Sequence, residues 1–204
     1  MYKYTELLIE KNPELTYLKN NIKALCDNVV ESYNKDGKLM VCGNGGSFAD
    51  ADHIVGEMLK GFLSKRKVPE NNKEKFGELA DLLQQGIPAV SLGAHGALIS
   101  AVINDINADM MYAQQVYAMG KEQDVLIGIS TSGNAKNICN ALKVAKAMGI
   151  KTVGMTGNKN GTMNELCDIL IDVPESETYL IQEYHLAIYH AFCGDIENII
   201  FESK

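Results

Sequence analysis

The chain has 204 residues, 46% hydrophobic and 22% charged, a profile that gives one globular domain over 1–204 with a core of its own and excludes disorder. A formal net charge of −7 and a pI of about 5.1 create a field that repels nucleic-acid phosphates and anionic membranes, so neither is an expected partner. No run approaches the roughly 18 apolar residues needed to span a bilayer. The opening MYKYTELLIEKNPELTYLK mixes charge with apolar residues where a signal peptide needs an apolar block, so the chain reads as cytoplasmic.

In chain order, the pattern predicts a long helix over Glu14–Asn34, then a short β segment at Leu39–Cys42 that runs into Gly43-Asn-Gly-Gly-Ser47 and a helical stretch Asp50–Leu63. Glycines permit close backbone approach, and the helix that follows offers free N–H groups and the positive end of its dipole. An anion or sugar hydroxyl is welcome there, with Asn44, Gly45 and Ser47 as contacts. The spacing is neither the dinucleotide fingerprint nor a P-loop, so no nucleotide cofactor is expected; a tight strand-to-helix turn without ligand is the plain alternative. His53 and Glu57, four residues apart, share one face of the helix. Such a pair is commonly a surface hydrogen-bonded couple, but it lies one to two turns beyond a ligand-type loop.

Gly61–Gln85 reads as a loop entering an amphipathic helix (Lys73–Gln85), with Lys65, Arg66 and Lys67 as a solvated basic cluster. Further β segments fall at Ala89–Leu92, Val125–Ile129, Thr152–Thr156 and Ile169–Val173. Alternation of strands with helices implies right-handed βαβ units. The expected fold is α/β: a three-layer αβα sandwich around a doubly wound five-stranded parallel sheet, with long N- and C-terminal helices. After the third strand come Ser130, Thr131, Ser132 and Asn134, then a helix Ala135–Met148. Several hydroxyls at a helix N-terminus exceed what one cap needs and suit a phosphate. Both loops follow strand carboxyl ends, the edge where ligands bind in open α/β sheets.

The last helix, Tyr179–Glu202, carries Leu180, Tyr184, Ala187 and Ala191 as an apolar stripe, and covering it suggests a homo-oligomer. It also carries Gln182, His185 and His190. His185 and His190 are about 140° apart around the helix and Gln182 and His190 about 80°, so only one histidine can serve a single site, and the pattern does not choose which. Cys26, Cys42, Cys139, Cys167 and Cys193 form no C-x-x-C pair and read as buried reduced thiols.

The ordered motifs C-G-N-G-G-S-x-x-D-A-x-H-x-x-x-E, I-S-T-S-G-N and I-Q-E-x-H-x-x-x-x-H, spanning Cys42 to His190, resemble the phosphoheptose isomerase branch of the SIS-domain family. The resemblance implies a homotetramer with active sites between subunits, interconverting D-sedoheptulose 7-phosphate and D-glycero-D-manno-heptose 7-phosphate. By carry-over, Ser47, Ser130, Thr131 and Ser132 hold phosphate, and His53, Glu57, Gln182 and His190 match positions that bind zinc, one ion per subunit. Asn104 and Asp105 match a pair lining the family's site, and His185 falls outside the ligand set. Moving a proton between adjacent carbons through an enediol needs a base and an acid; these are assigned to Glu57 and His190. Ala135, Tyr179 and the long segment Gly61–Gln85 depart from the family pattern and bear on which sugar is taken. The competing expectations are isomerisation of another sugar phosphate, or a non-catalytic SIS protein that senses sugar phosphates or binds a replication initiator.

Overall fold

The structure is a computed structural model and describes residues 2–202. Five strands, β1 (Leu39–Gly43), β2 (Ala89–Ser91), β3 (Val125–Ile129), β4 (Lys151–Thr156) and β5 (Ile169–Asp172), form one all-parallel sheet in the order β2-β1-β3-β4-β5. All five expected strands are present within a residue or two of their predicted bounds. Side chains alternate across a strand, and here both alternating sets are apolar. Leu39, Val41, Val125, Ile127 and Ile129 face one core, while Met40, Cys42 and Leu126 face the other. The first core is roofed by α1 (Lys3–Lys11), α2 (Lys19–Asn34), α3 (Gly46–Leu59) and the C-terminal helix Thr178–Glu197; the second is roofed mainly by α6 (Ala113–Met119) and α7 (Lys136–Ala147). The remaining helices are α4 (Glu70–Phe76), α5 (Gly96–Asp105) and α8 (Met163–Leu166), and the Thr178–Glu197 helix is α9.

Topology fixes where a ligand can sit. The chain leaves β1 toward β2 on one side and leaves β3 toward β4 and β5 on the other, so the strand order reverses between β1 and β3 and opens a crevice at their carboxyl ends. Register makes the two edges level: Leu39 lies opposite Val125 and Gly43 opposite Ile129. The loops that follow these two strands therefore begin at the same height.

The expected helix Glu14–Asn34 divides, because Pro13 opens a 3₁₀ segment over Pro13–Leu18 before α2 begins. A separate helix, α1, precedes it; the buried Asp195 carboxylate accepts the Tyr4 and Thr5 backbone N–H groups, each at 2.8 Å, and so satisfies the start of that helix. The expected helix Lys73–Gln85 is shorter and earlier: α4 ends at Phe76, and Gly77, at φ 56, turns the chain into a 3₁₀ turn. In α9 the fully covered face is Ile181, His185, Ile188 and Phe192, one residue round from the predicted stripe, whose Leu180, Tyr184 and Ala187 are half-buried.

The solvated basic cluster needs correction at its centre. Arg66 is only 2% exposed, and its guanidinium bonds the Glu197 carboxylate at 2.7 Å and the carbonyls of Met58 and Glu57 at 2.7 and 3.1 Å. Three donor positions of the guanidinium meet these acceptors, two of which also take backbone N–H groups: the Met58 carbonyl from Ile87 at 2.8 Å, and the Glu197 carboxylate from Phe62, Leu63 and Ser64. The cysteines are all free, and four of the five are buried.

Candidate functional site

The level loop starts build one cavity of about 310 Å³, lined by Asn44, Gly45, Gly46 and Ser47 after β1, by Ser130, Thr131, Ser132 and Ala135 after β3, and by Thr178 and Gln182 from α9. Gly45 adopts φ 58, which a side chain would resist, and this turn aims the start of α3 at the cavity. None of the lining side chains is charged. Backbone N–H groups at the starts of α3, α7 and α9, together with the hydroxyls, are what the cavity offers an anion. Ser130 Oγ accepts the Ala135 N–H at 3.4 Å and Ser132 Oγ accepts the Asn134 N–H at 3.2 Å. These two hydroxyls thus shape the loop; they also lie 3.5 Å apart, so one proton can bridge them while the other is available to a guest.

Asn44 is held by reciprocal amide bonds with Asn137, both 2.9 Å, and by the buried Tyr112, whose hydroxyl donates to the Gly43 carbonyl at 2.6 Å and reaches Asn44 Oδ1 at 3.3 Å. Burial raises the Tyr112 phenol well above its ordinary value, so it remains a donor at any physiological pH. Asn134 turns away from the cavity: its Oδ1 accepts the Thr162 N–H and Oγ1–H at 2.9 and 3.0 Å, tying down the loop after β4. Asn104 and Asp105 are exposed at the end of α5, bonded to each other at 2.7 Å, and do not line this cavity.

The second half of the site lies where α3 meets α9. His53 Nε2 is 3.2 Å from Glu57 Oε1, Lys60 Nζ is 3.1 Å from Glu57 Oε2, and the His190 ring packs edge-on to His53 with centroids 5.1 Å apart. Partial burial, and then the neighbouring His53, push the His190 pKa down, with Glu57 opposing; the neutral ring is favoured at neutral pH. His190 also borders an apolar recess of about 300 Å³ with Tyr4, Leu8, Phe62 and Leu63. Gln182 stands two turns before His190 on α9 and lines the phosphate-type cavity. His185 is elsewhere: fully buried, its Nε2 is 3.3 Å from the Thr156 carbonyl, and burial lowers its pKa to about 4.

Two imidazoles, a carboxylate and an amide oxygen suit zinc in chemistry, and His53 and Glu57 already touch. Among the described residues, no three His, Cys, Asp or Glu side chains stand close enough to hold an ion as they are. Sequence reasoning missed the groups behind this cluster. Tyr189 Oη contacts His53 Nδ1 at 2.9 Å and Asp50 Oδ1 at 3.4 Å. The available signal was position alone: Asp50 lies one turn before His53 and Tyr189 beside His190.

A SIS-domain family model matches residues 86–192 and a second SIS-domain model matches residues 4–74. The chain is 38% identical to the phosphoheptose isomerase of Burkholderia pseudomallei over 94% of this chain and 98% of that protein, and 40% identical to that of Aliarcobacter butzleri over 83% and 80%. Among solved structures, a phosphoheptose isomerase from Francisella tularensis superposes with a TM-score of 0.79 at 30% identity, covering 96% of this chain and 95% of that one. One from Neisseria gonorrhoeae gives 0.75 at 30% identity, covering 97% and 93%.

Proposed function

The chain belongs to the phosphoheptose isomerase family of SIS-domain proteins, and we propose that it interconverts D-sedoheptulose 7-phosphate and D-glycero-D-manno-heptose 7-phosphate with Glu57 as base and His190 as acid. The observation that carries the reading is a charge-free cavity of hydroxyls and helix N-termini, bordered by Gln182, with a His53–Glu57–His190 cluster where α3 meets α9 two turns further along the same helix.

The phosphate seats among Ser47, Ser130, Thr131 and Ser132. Glu57 takes a proton from C1 of the ketose while His190 gives one to O2, forming the enediol; Glu57 then returns its proton to C2 while His190 removes the proton from O1, leaving the aldose. A neutral imidazole suits both of its steps, since the nitrogen that donates its proton to O2 can take the one from O1, leaving the second nitrogen free. His53, Glu57, Gln182 and His190 would hold a zinc ion, which when bound polarises the carbonyl and stabilises the developing oxyanion. The donor chemistry and the His53–Glu57 contact support this ligand set.

Assembly as a homotetramer with sites between subunits is supported by exposed apolar side chains, among them Leu79, Leu82, Ile103, Ile106 and Tyr117, more than a lone chain comfortably leaves in water. Asn104 and Asp105, away from the cavity of their own chain, would then line a site shared with a second copy. Among the described residues no helix is long and apolar enough to cross a membrane, and the free thiols support a reducing, cytoplasmic setting.

The deciding experiment is Glu57→Gln assayed by direct detection of the aldose phosphate. Turnover should fall by about 10²–10⁴ while calorimetric affinity for the ketose phosphate stays within a few-fold. Unchanged turnover would remove Glu57 as the base.

A further inference from the structure

We infer that Tyr189, held by Asp50, is a positioning residue that fixes His53 as the Nδ1–H tautomer and so presents a bare Nε2 lone pair to Glu57. Two hydrogen-bond distances and one orphaned oxygen carry the argument. Tyr189 Oη lies 2.9 Å from His53 Nδ1 and 3.4 Å from Asp50 Oδ1, and the phenol is 1% exposed. It has one proton and two candidate acceptors. Among the described residues, Asp50 Oδ2 is buried with no partner and Tyr189 is the one hydrogen-bond donor to the Asp50 carboxylate.

Each arrangement leaves one acceptor wanting: Asp50 when Tyr189 donates to His53, and Glu57 Oε1 opposite Nε2 when it donates to Asp50. The other donors decide between them, for Glu57 keeps the Lys60 ammonium at 3.1 Å, whereas Asp50 has no second donor among the described residues. If Tyr189 donates to His53 Nδ1, the half-buried Asp50 carboxylate is left without any donor, the costlier kind of unmade bond. If Tyr189 donates to Asp50, the bond is assisted by the carboxylate charge, and His53 meets the phenol oxygen with its own Nδ1–H. Each of the three side chains Asp50, Tyr189 and His53 then has a partner, with Asp50 Oδ2 left over. The phenol is suited to this role because burial and the Asp50 carboxylate beside it hold its pKa well above the ordinary value; it keeps its proton. The edge-on packing of the Tyr189 and His53 rings, 5.2 Å between centroids, restrains the imidazole from flipping.

The consequence appears on the other side of the ring. Nε2 without a proton faces Glu57 Oε1 at 3.2 Å, so two acceptors look at each other. A histidine that ligates a metal usually has its second nitrogen fixed by an outer hydrogen bond in this manner. What fills the gap between Nε2 and Oε1 rests on the zinc reading proposed above; the tautomer does not.

Ring-¹⁵N histidine labelling tests the two separately. The chain has four histidines, and the His53 signal is the one lost in His53→Gln. In metal-free protein at a pH of about 9, where an ordinary imidazole is neutral, two-bond ¹⁵N–¹H correlations should show His53 protonated on Nδ1. Tyr189→Phe, which preserves ring volume, and Asp50→Ala, which removes the competing acceptor, should each return it to the Nε2–H form that imidazole favours in water. An Nε2–H signal in the wild type, or an Nδ1–H signal that survives both substitutions, overturns the inference. Chelator competition on the same proteins should show zinc bound about 10- to 100-fold more weakly by Tyr189→Phe, and equal zinc affinity counts against the positioning role. A wild-type protein that shows the Nδ1–H tautomer but takes up no zinc would refute the metal reading alone.

Discussion

Gly46→Ala probes the working site through a single methyl group. Gly46 opens α3 without a positive φ, so the backbone accepts alanine, and alanine in place of glycine narrows the unfolded ensemble by about 0.4–1 kcal/mol. A Cβ built there, however, comes within 2.5 Å of Gln182 Nε2 and 2.9 Å of its Oε1. Normal contact begins near 3.5 Å, so the end of the glutamine side chain must retreat by about 1 Å, and because it is the tip of a flexible chain the fold can absorb the change. Misplacement of that size in a catalytic constellation costs on the order of 10²-fold, equivalent to about 2.7 kcal/mol of transition-state stabilisation. The melting temperature should therefore stay within about 4 °C of wild type, while kcat/KM for sedoheptulose 7-phosphate falls about 100-fold. Combining Gly46→Ala with Gln182→Ala should be no worse than Gln182→Ala alone, since both act through one side chain. Unchanged kcat/KM in a folded Gly46→Ala protein would show that Gln182 takes no part in the reaction.

Two further outcomes concern the frame around the site. Glu197→Gln strands the buried Arg66 guanidinium and should cost about 3–5 kcal/mol, a fall in melting temperature on the order of 10 °C, whereas a loss below 2 °C would show that the pair is dispensable. Burial raises the Glu197 pKa, but the Phe62 and Leu63 N–H groups and Arg66 outweigh it and hold the carboxyl below its usual range; this stabilisation is complete above the unfolded pKa of about 4.3 and disappears as pH falls through the folded value. His185 titrates near 4 when folded, pushed down from 6.5 by burial, so the unfolded chain binds the extra proton and stability drains as pH drops from about 6.5 toward 4. Between pH 7 and 4.5 that amounts to about 2–3 kcal/mol, measured by urea unfolding as the difference from His185→Gln; parallel pH profiles would contradict it.

The strands and both ligand loops were readable in the sequence because each rests on a local rule. Val125–Ile129 is a short apolar run stopped by hydroxyls and glycine, and Leu39–Gly43 one stopped by Asn44 and glycines. What brings them together is register, Gly43 against Ile129, which no local pattern encodes. The supporting groups were hidden for a related reason. Asn137, Tyr189 and Asp50 act through partners on other elements, and an asparagine in the first turn of α7 reads as helix surface until Asn44 is known to face it. Arg66 misled in the opposite direction: between Lys65 and Lys67 it looks solvated, and only Glu197, far along the chain, makes its burial tolerable. His185 and His190 remained ambiguous by helical angle, and packing separates them, one sealed beneath Thr156 and the other at the edge of the open cluster.

The spacing of the site along α9 argues about substrate length. Thr178 opens α9 at the cavity that would take the phosphate, and His190 lies beside His53 and Glu57. Twelve residues of α-helix rise about 18 Å, a span that side chains shorten only in part, with Gln182 between the two ends. A three-carbon sugar phosphate seated by its phosphate would leave its carbonyl short of Glu57, whereas a seven-carbon chain phosphorylated at its far end can reach across with C1 and C2 among the acid and base. A chain with net charge −7 can still hold such a dianion because the cavity places hydroxyls and helix starts, not carboxylates, around it. Each helix start contributes roughly half a positive charge, and that field acts over a few ångströms where the global repulsion is screened. The cavity thus selects the phosphate, and the helix measures out how far from it the chemistry occurs.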